Sequence, residues 1–109
     1  MEFKEFQDLK LSALGFGAMR LPTVGGDPNG AVDEKLTAEM VAYARAQGVN
    51  YFDTAYIYGS SEATLGEILE RNHCRTQVKI ATKLPHYLMK SVEGAERLFQ
   101  EQLRRLRTD

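Results

Sequence analysis

A chain of 109 residues leaves room for one domain at most. Its 43% hydrophobic and 27% charged residues are ordinary for a globular protein, and a net charge of -1 excludes a basic nucleic-acid footprint or a polyacidic tail. Cys74 is the only cysteine, so no internal disulfide can form; with no apolar signal-peptide core at the N-terminus and no apolar run long enough to span a bilayer, the expectation is a soluble cytoplasmic protein.

Along the chain, Phe3 to Phe6 and Leu9 to Leu11, parted by Gln7 and Asp8, predict a hairpin within residues 1–11. Leu11 to Gly17 predicts a short strand in which Gly15 and Gly17 leave space for a close approach. Thr23 to Gly30 is dense in turn formers and predicts a loop. Asp33 offers an N-cap to a helix carrying Leu36, Met40, Val41 and Ala44 at helical spacing, with Gly48 as its stop. Val49 to Asp53 is short, apolar and β-prone, hence a strand. Ser60 or Ser61 can cap a second helix with Leu65, Ile68 and Leu69 as its apolar face. Gln77 to Lys83 predicts a third strand, and Pro85 marks its exit. Ser91 caps a third helix with Val92, Ala95, Leu98, Phe99, Leu103 and Leu106 on one stripe. Near its end Arg104, Arg105 and Arg107 are balanced by Glu93, Glu96, Glu101 and Asp109, which reads as a solvated helix face rather than a phosphate site.

The order is a hairpin over residues 1–11, then three β/α units over residues 12–109, in a single α/β domain. Strands alternating with helices imply a parallel sheet with right-handed crossovers. An open doubly wound sheet and part of a β/α barrel both fit. Three strands cannot close a barrel, whose eight units need ~250 residues. The piece would leave two sheet edges unpaired, which predicts more chain, a partner, or self-association through those edges.

Parallel α/β folds place ligands at the carboxyl ends of their strands. The second strand runs into Asp53-Thr54-Ala55-Tyr56-Ile57-Tyr58-Gly59 and the third ends in Ala81-Thr82-Lys83. On adjacent strands, about 4.8 Å apart, Asp53 and Lys83 would face each other with a loop tyrosine beside them. Such a group has a chemical logic. Reducing a carbonyl needs a proton donor for the oxygen, and a phenol becomes a better acid beside a cation held in place by a carboxylate. From spacing alone, an ordinary salt bridge beside a loop tyrosine is the simpler reading, because these residues are common. Gly15-Phe16-Gly17 followed by Arg20 is not a dinucleotide-binding G-x-G-x-x-G, and no P-loop lysine follows Gly59. His73 and Cys74 lack a second ligand pair at metal spacing, and no metal site is expected. His86, just past the third strand, reads as an exposed loop residue at the rim.

The words of the sequence also resemble a known family. Leu14 to Pro22 is similar to the first-strand motif of the aldo-keto reductases, Gly48 to Gly59 with Ser61, Glu62, Leu65 and Gly66 resembles their most characteristic signature, and Ile80-Ala81-Thr82-Lys83 resembles the strand that delivers their lysine. Leu103 to Asp109 resembles the helix end that leads into their fourth strand. The resemblance covers nearly the whole chain, in order. It implies the first three units of a (β/α)8 barrel that uses NADPH to reduce a small-molecule aldehyde or ketone. By position, Tyr58 would be the general acid, Lys83 would promote its proton release, and Asp53 would pair with Lys83 and touch the nicotinamide ribose. Gly17, Ala18 and Met19 would lie along the cofactor. The Met19-Arg20-Leu21-Pro22 variant resembles bacterial members, some with an added iron–sulfur segment, for which no cysteine cluster exists here. The family's catalytic histidine ends its fourth strand, past Asp109, and its main adenosine-phosphate loops come later still. The expectation is therefore that these 109 residues alone have little or no reductase activity. The alternative is an inactive barrel fragment, or a binding or assembly module on the same scaffold.

Overall fold

A computed structural model describes all of residues 1–109. Strands β1 (Phe3–Phe6) and β2 (Leu9–Ser12) form an antiparallel hairpin. A three-stranded parallel sheet follows, in the order β3 (Phe16–Gly17), β4 (Tyr51–Asp53), β5 (Lys79–Ala81). Helix α1 (Glu34–Ala46) links β3 to β4, α2 (Ser61–Arg71) links β4 to β5, and α3 (Val92–Leu106) closes the chain. No helix is long and apolar enough to cross a membrane.

The sheet is covered on one face only. Phe16, Phe52 and Ile80 share a register and face the helices, where Phe52 packs with Val41, Leu65, Ile68, Leu69, Val78 and Leu106. The alternate residues Gly17, Tyr51, Asp53, Lys79 and Ala81 point the other way and stay accessible. A radius of gyration of 14.6 Å and a thickness of 21 Å along the shortest axis express that openness; a compact chain of this length would have about 13 Å. The hairpin lies at the amino ends of the strands and is fastened there by Asn50. Its side chain accepts from the Ser12 N–H (2.8 Å) and donates to the Lys10 carbonyl (2.9 Å).

That fastening explains one departure from the expected elements. The strand expected over Leu11 to Gly17 is divided, because Leu11 and Ser12 belong to β2. The Ser12 hydroxyl donates to the Leu14 carbonyl, turning the chain so that only Phe16–Gly17 joins the parallel sheet. The third strand is likewise shorter than Gln77 to Lys83, since Arg75–Gln77 forms a 3-10 turn and Thr82 and Lys83 lie beyond the ladder.

The helices follow their signals unevenly. Asp33 caps α1 through the Leu36 N–H, Ser91 caps α3 through the Gly94 N–H, and Gly48 turns the chain at φ +97°. Neither Ser60 nor Ser61 caps α2 with its side chain; Ser61 is buried and used elsewhere. On α1 the buried face runs through Thr37 and Val41, leaving Leu36 and Met40 exposed. On α3 the expected stripe is only partly covered, with Val92 and Phe99 exposed and Leu106 buried. The arginines at its end divide as well: Arg104 and Arg107 are solvated, but Arg105 turns inward.

Helices α2 and α3 touch backbone to backbone at Gly66. A Cβ there would lie 2.8 Å from the Leu106 backbone and closer still to the Arg105 carbonyl oxygen. Gly66→Ala is therefore expected to destabilise the chain by about 2 kcal/mol, overpacking outweighing the better helix propensity of alanine. Urea denaturation measures it; an unchanged or raised midpoint would show that the helices part without strain.

Candidate active site

The carboxyl ends of the three strands converge on a few polar groups. At the end of β4, Asp53 stands across from Ala81 of β5 and beside Gly17 of β3. Lys83 reaches back from past β5, and its ammonium donates to Asp53 Oδ2 (2.8 Å) and to the Thr54 carbonyl (2.9 Å). The same nitrogen sits 4.9 Å from the ring centroid of Tyr58, within cation–π range. Burial pulls the Lys83 pKa down, but hydrogen bonds and charge from Asp53 and Tyr58 outweigh it and raise it from the ordinary 10.5. Lys83 therefore carries its proton at neutral pH.

Two tyrosines lie two residues apart, and the fold assigns them different places. Tyr56 takes the Arg105 guanidinium over its ring at 4.2 Å, toward α3. Tyr58 follows the tight turn in which its N–H donates to the Ala55 carbonyl, and Gly59, at φ +57°, lets the chain double back into α2. The turn leaves Tyr58 on the Lys83 side.

Beneath these groups lies a buried polar layer. Glu62, on the first turn of α2, is fully buried. Its carboxylate accepts from Thr82 Oγ1 (2.7 Å), Gln102 Nε2 (3.1 Å) and Arg105 Nη1 (3.2 Å). Gln102 Nε2 also donates to the Lys83 carbonyl (2.9 Å), and Arg105 Nη1 to the Tyr56 carbonyl (3.4 Å). One carboxylate thus ties the β5 loop and two helices together, and Arg105 extends the tie to the β4 loop. On the β3 side, the Ser61 hydroxyl donates to the Ala18 carbonyl (2.8 Å) and lies 2.7 Å from Thr54 Oγ1.

The expected residues do not all serve alike. Asp53, Tyr58 and Lys83 form one cluster. Gly17 is open above, with no atom within 4 Å of a notional Cβ, and the Met19 side chain is exposed nearby. Ala18 is fully buried, its N–H donated to the Asp53 carbonyl, so it supports this surface from below. Sequence patterning overlooked Glu62 as a structural anchor, Gln102 and Arg105. Glu62 sat within the quoted signature, whereas a glutamine between apolar positions gave no signal. His73 is exposed and Cys74 buried, with its thiol toward the Leu69 carbonyl.

The largest depression, about 960 Å³, lies at the opposite end of the sheet, between the hairpin, the amino ends of β4 and β5, and the end of α3. It is the open flank of β5 and carries none of this cluster. A second hollow, about 760 Å³, runs from Met19 to Tyr58 and the start of α2.

The sequence model of the aldo/keto reductase family matches residues 13–109. The chain belongs to that family. It is 34% identical over 87 residues to the aldo-keto reductase YhdN of Bacillus subtilis, an alignment covering 76% of this chain and 25% of that protein. With L-galactose dehydrogenase of Arabidopsis thaliana it shares 37% over 107 residues, 93% of this chain and 32% of the other. The chain thus spans a quarter to a third of the length of these curated relatives. Among solved structures, the holo form of aldo-keto reductase AKR11C1 from Bacillus halodurans superposes on all of this chain and 37% of its own, with a TM-score of 0.75 and 27% identity. The NADPH complex of aldo-keto reductase AKR2E5 shares the fold (TM-score 0.70, 21% identity, 99% of this chain, 33% of that one). The fold is therefore part of an aldo-keto reductase (β/α)8 barrel, and β3, β4 and β5 are three of its strands.

Within this aldo-keto reductase scaffold, the buried layer and the exposed pair should respond differently to substitution. Arg105→Leu leaves the Glu62 carboxylate buried without its counter-ion and is expected to cost about 3 kcal/mol. Lys83→Met breaks a pair whose side chains are 51% and 37% exposed and is expected to cost less than about 1 kcal/mol. The Lys83 contribution is complete below the ordinary lysine value and lost only as pH rises through the raised one, so it is fully present near neutrality, where it gives stability no pH dependence. Denaturation of both variants near neutrality checks the order; equal losses would contradict it.

Proposed function

We propose that this chain contributes the proton-donating part of the active site of an NADPH-dependent carbonyl reductase acting on a small-molecule aldehyde or ketone. The observation that carries the reading is the single ammonium of Lys83 held between the Asp53 carboxylate and the Tyr58 ring. Family membership supports oxidoreductase chemistry, and the NADPH bound by AKR2E5 supports the choice of nicotinamide cofactor.

The residues divide the work. Tyr58 is the group that gives its proton to the carbonyl oxygen. As it does so, negative charge develops on the phenol oxygen, and the Lys83 ammonium stabilises that charge. Asp53 and the Thr54 carbonyl hold the ammonium so that it need not reorganise as the charge appears. Fit to the cofactor is supported by the floor at the end of β3, where Gly17 removes any side chain that would block a flat ring and Met19 presents an apolar wall. Ala18 carries that floor from beneath. When bound, NADPH would supply the hydride to the carbonyl carbon.

A lone, buried Cys74 suits a reducing cytoplasm. The unpaired edges of β3 and β5 favour self-association of residues 1–109 when no further strand covers them.

In the complete barrel containing this chain, Tyr58→Phe is expected to reduce carbonyl turnover by about a hundredfold or more while NADPH binding, read by fluorescence quenching, persists. Turnover that survives the loss of the hydroxyl would sink the reading.

A further inference from the structure

Lys83 lies past the end of β5, where the sheet no longer fixes its main chain. The last short bond between the neighbouring segments runs from the Thr54 N–H to the Ala81 carbonyl (2.8 Å). The next, from the Tyr56 N–H to the Lys83 carbonyl, has lengthened to 3.3 Å. A side chain from another element reinforces it: Gln102 Nε2, on α3, donates to that same carbonyl at 2.9 Å. Gln102 is 1% exposed and lines neither of the hollows that Tyr58 borders. Its neighbours dictate how its amide is turned. The Lys83 carbonyl and the Glu62 carboxylate can only accept, and the Thr82 hydroxyl gives its own proton to Glu62. Every group within reach is therefore an acceptor, and nitrogen is the end that fits.

We propose that Gln102 is a positioning residue for proton transfer: it sets the Lys83 main chain so that the ammonium stays against the Tyr58 ring. It acts only through Lys83, and the proposal rests on the reductase reading for giving that ammonium a task. Geometry explains why one buried bond matters. The lysine stem is flexible, and its exposed ion pair with Asp53 is of the weak kind. Such a pair can hold the nitrogen in place only while the root of the side chain stays put. The ammonium stands 4.9 Å from the ring centroid, and useful cation–π contact ends at about 6 Å. A shift of about 1 Å at the root would consume that margin, and a misplacement of this size, caused far from the chemistry, can slow a reaction heavily.

The test is a double-mutant cycle in the complete barrel containing this chain, with active sites counted by NADPH binding. The rate is read in single turnovers, so that product release does not mask the chemical step. Gln102→Met fills nearly the same space without a donor. It is expected to lower the saturated rate about tenfold while the apparent affinities for the carbonyl compound and NADPH stay unchanged. In a Lys83→Met background the same change should cost nothing further, because no ammonium is left to place. Thr82→Val strips another donor from Glu62 but spares the Lys83 carbonyl, and should leave the rate near its original value. If Gln102→Met does not fold, Gln102→Ser, small enough to let a water reach both acceptors, puts the same question. An undiminished rate, an equal loss in the Lys83→Met background, or an equal loss in Thr82→Val would each overturn the assignment. None of these restores turnover to Tyr58→Phe, whose survival would instead remove the reductase reading.

Discussion

The carboxylate of Glu62 is the constraint on which the upper half of this structure depends. A fully buried carboxylate is tolerated only when its charge is paired and its oxygens hydrogen-bonded. Here the partners come from two other segments, so satisfying one side chain requires α2, α3 and the loop after β5 to adopt one relative position. Gly66 acts in the same sense, because helices that meet at backbone distance have little freedom to slide. Lys83 is then fixed at its carbonyl by Gln102, and only its flexible side chain remains to be placed by Asp53 and Thr54.

Much of this was legible in the sequence, for identifiable reasons. Alternation of β-prone and helical runs named the α/β class, and the hairpin, the three helices and two of their caps fell where short-range chemistry put them. The Asp53–Lys83 pair was legible because adjacent parallel strands bring equivalent ends together. Strand limits were not. The division between β2 and β3 turns on Asn50, some forty residues away, fastening the hairpin, and no local pattern announces that. Exposed Leu36, Met40 and Phe99 went unforeseen because periodicity finds apolar faces without saying whether anything covers them. Gln102 went unforeseen because its importance lies in three acceptors contributed by other segments.

The same contrast sets what is rigid against what is reactive. The polar groups with structural roles, Glu62, Gln102, Ser61 and Thr54, are buried and mutually satisfied. Those of the proposed chemistry, Asp53, Tyr58 and Lys83, lie on top with solvent access. An exposed pair adds little to stability, so these three are free to be selected for chemistry. The layer beneath carries the cost of holding them.

Solvent access also governs how strongly that chemistry can act. Coulomb energy scales inversely with dielectric constant, so moving the Lys83 and Tyr58 pair from water to an effective constant of about 20 strengthens their interaction roughly fourfold. The open sheet face and the unpaired edges of β3 and β5 keep the pair near the aqueous limit. Any element that covers that face, whether further barrel strands or a bound dinucleotide, therefore does more than complete a shape. It raises the power of an ammonium that the present residues have already placed, charged and fixed.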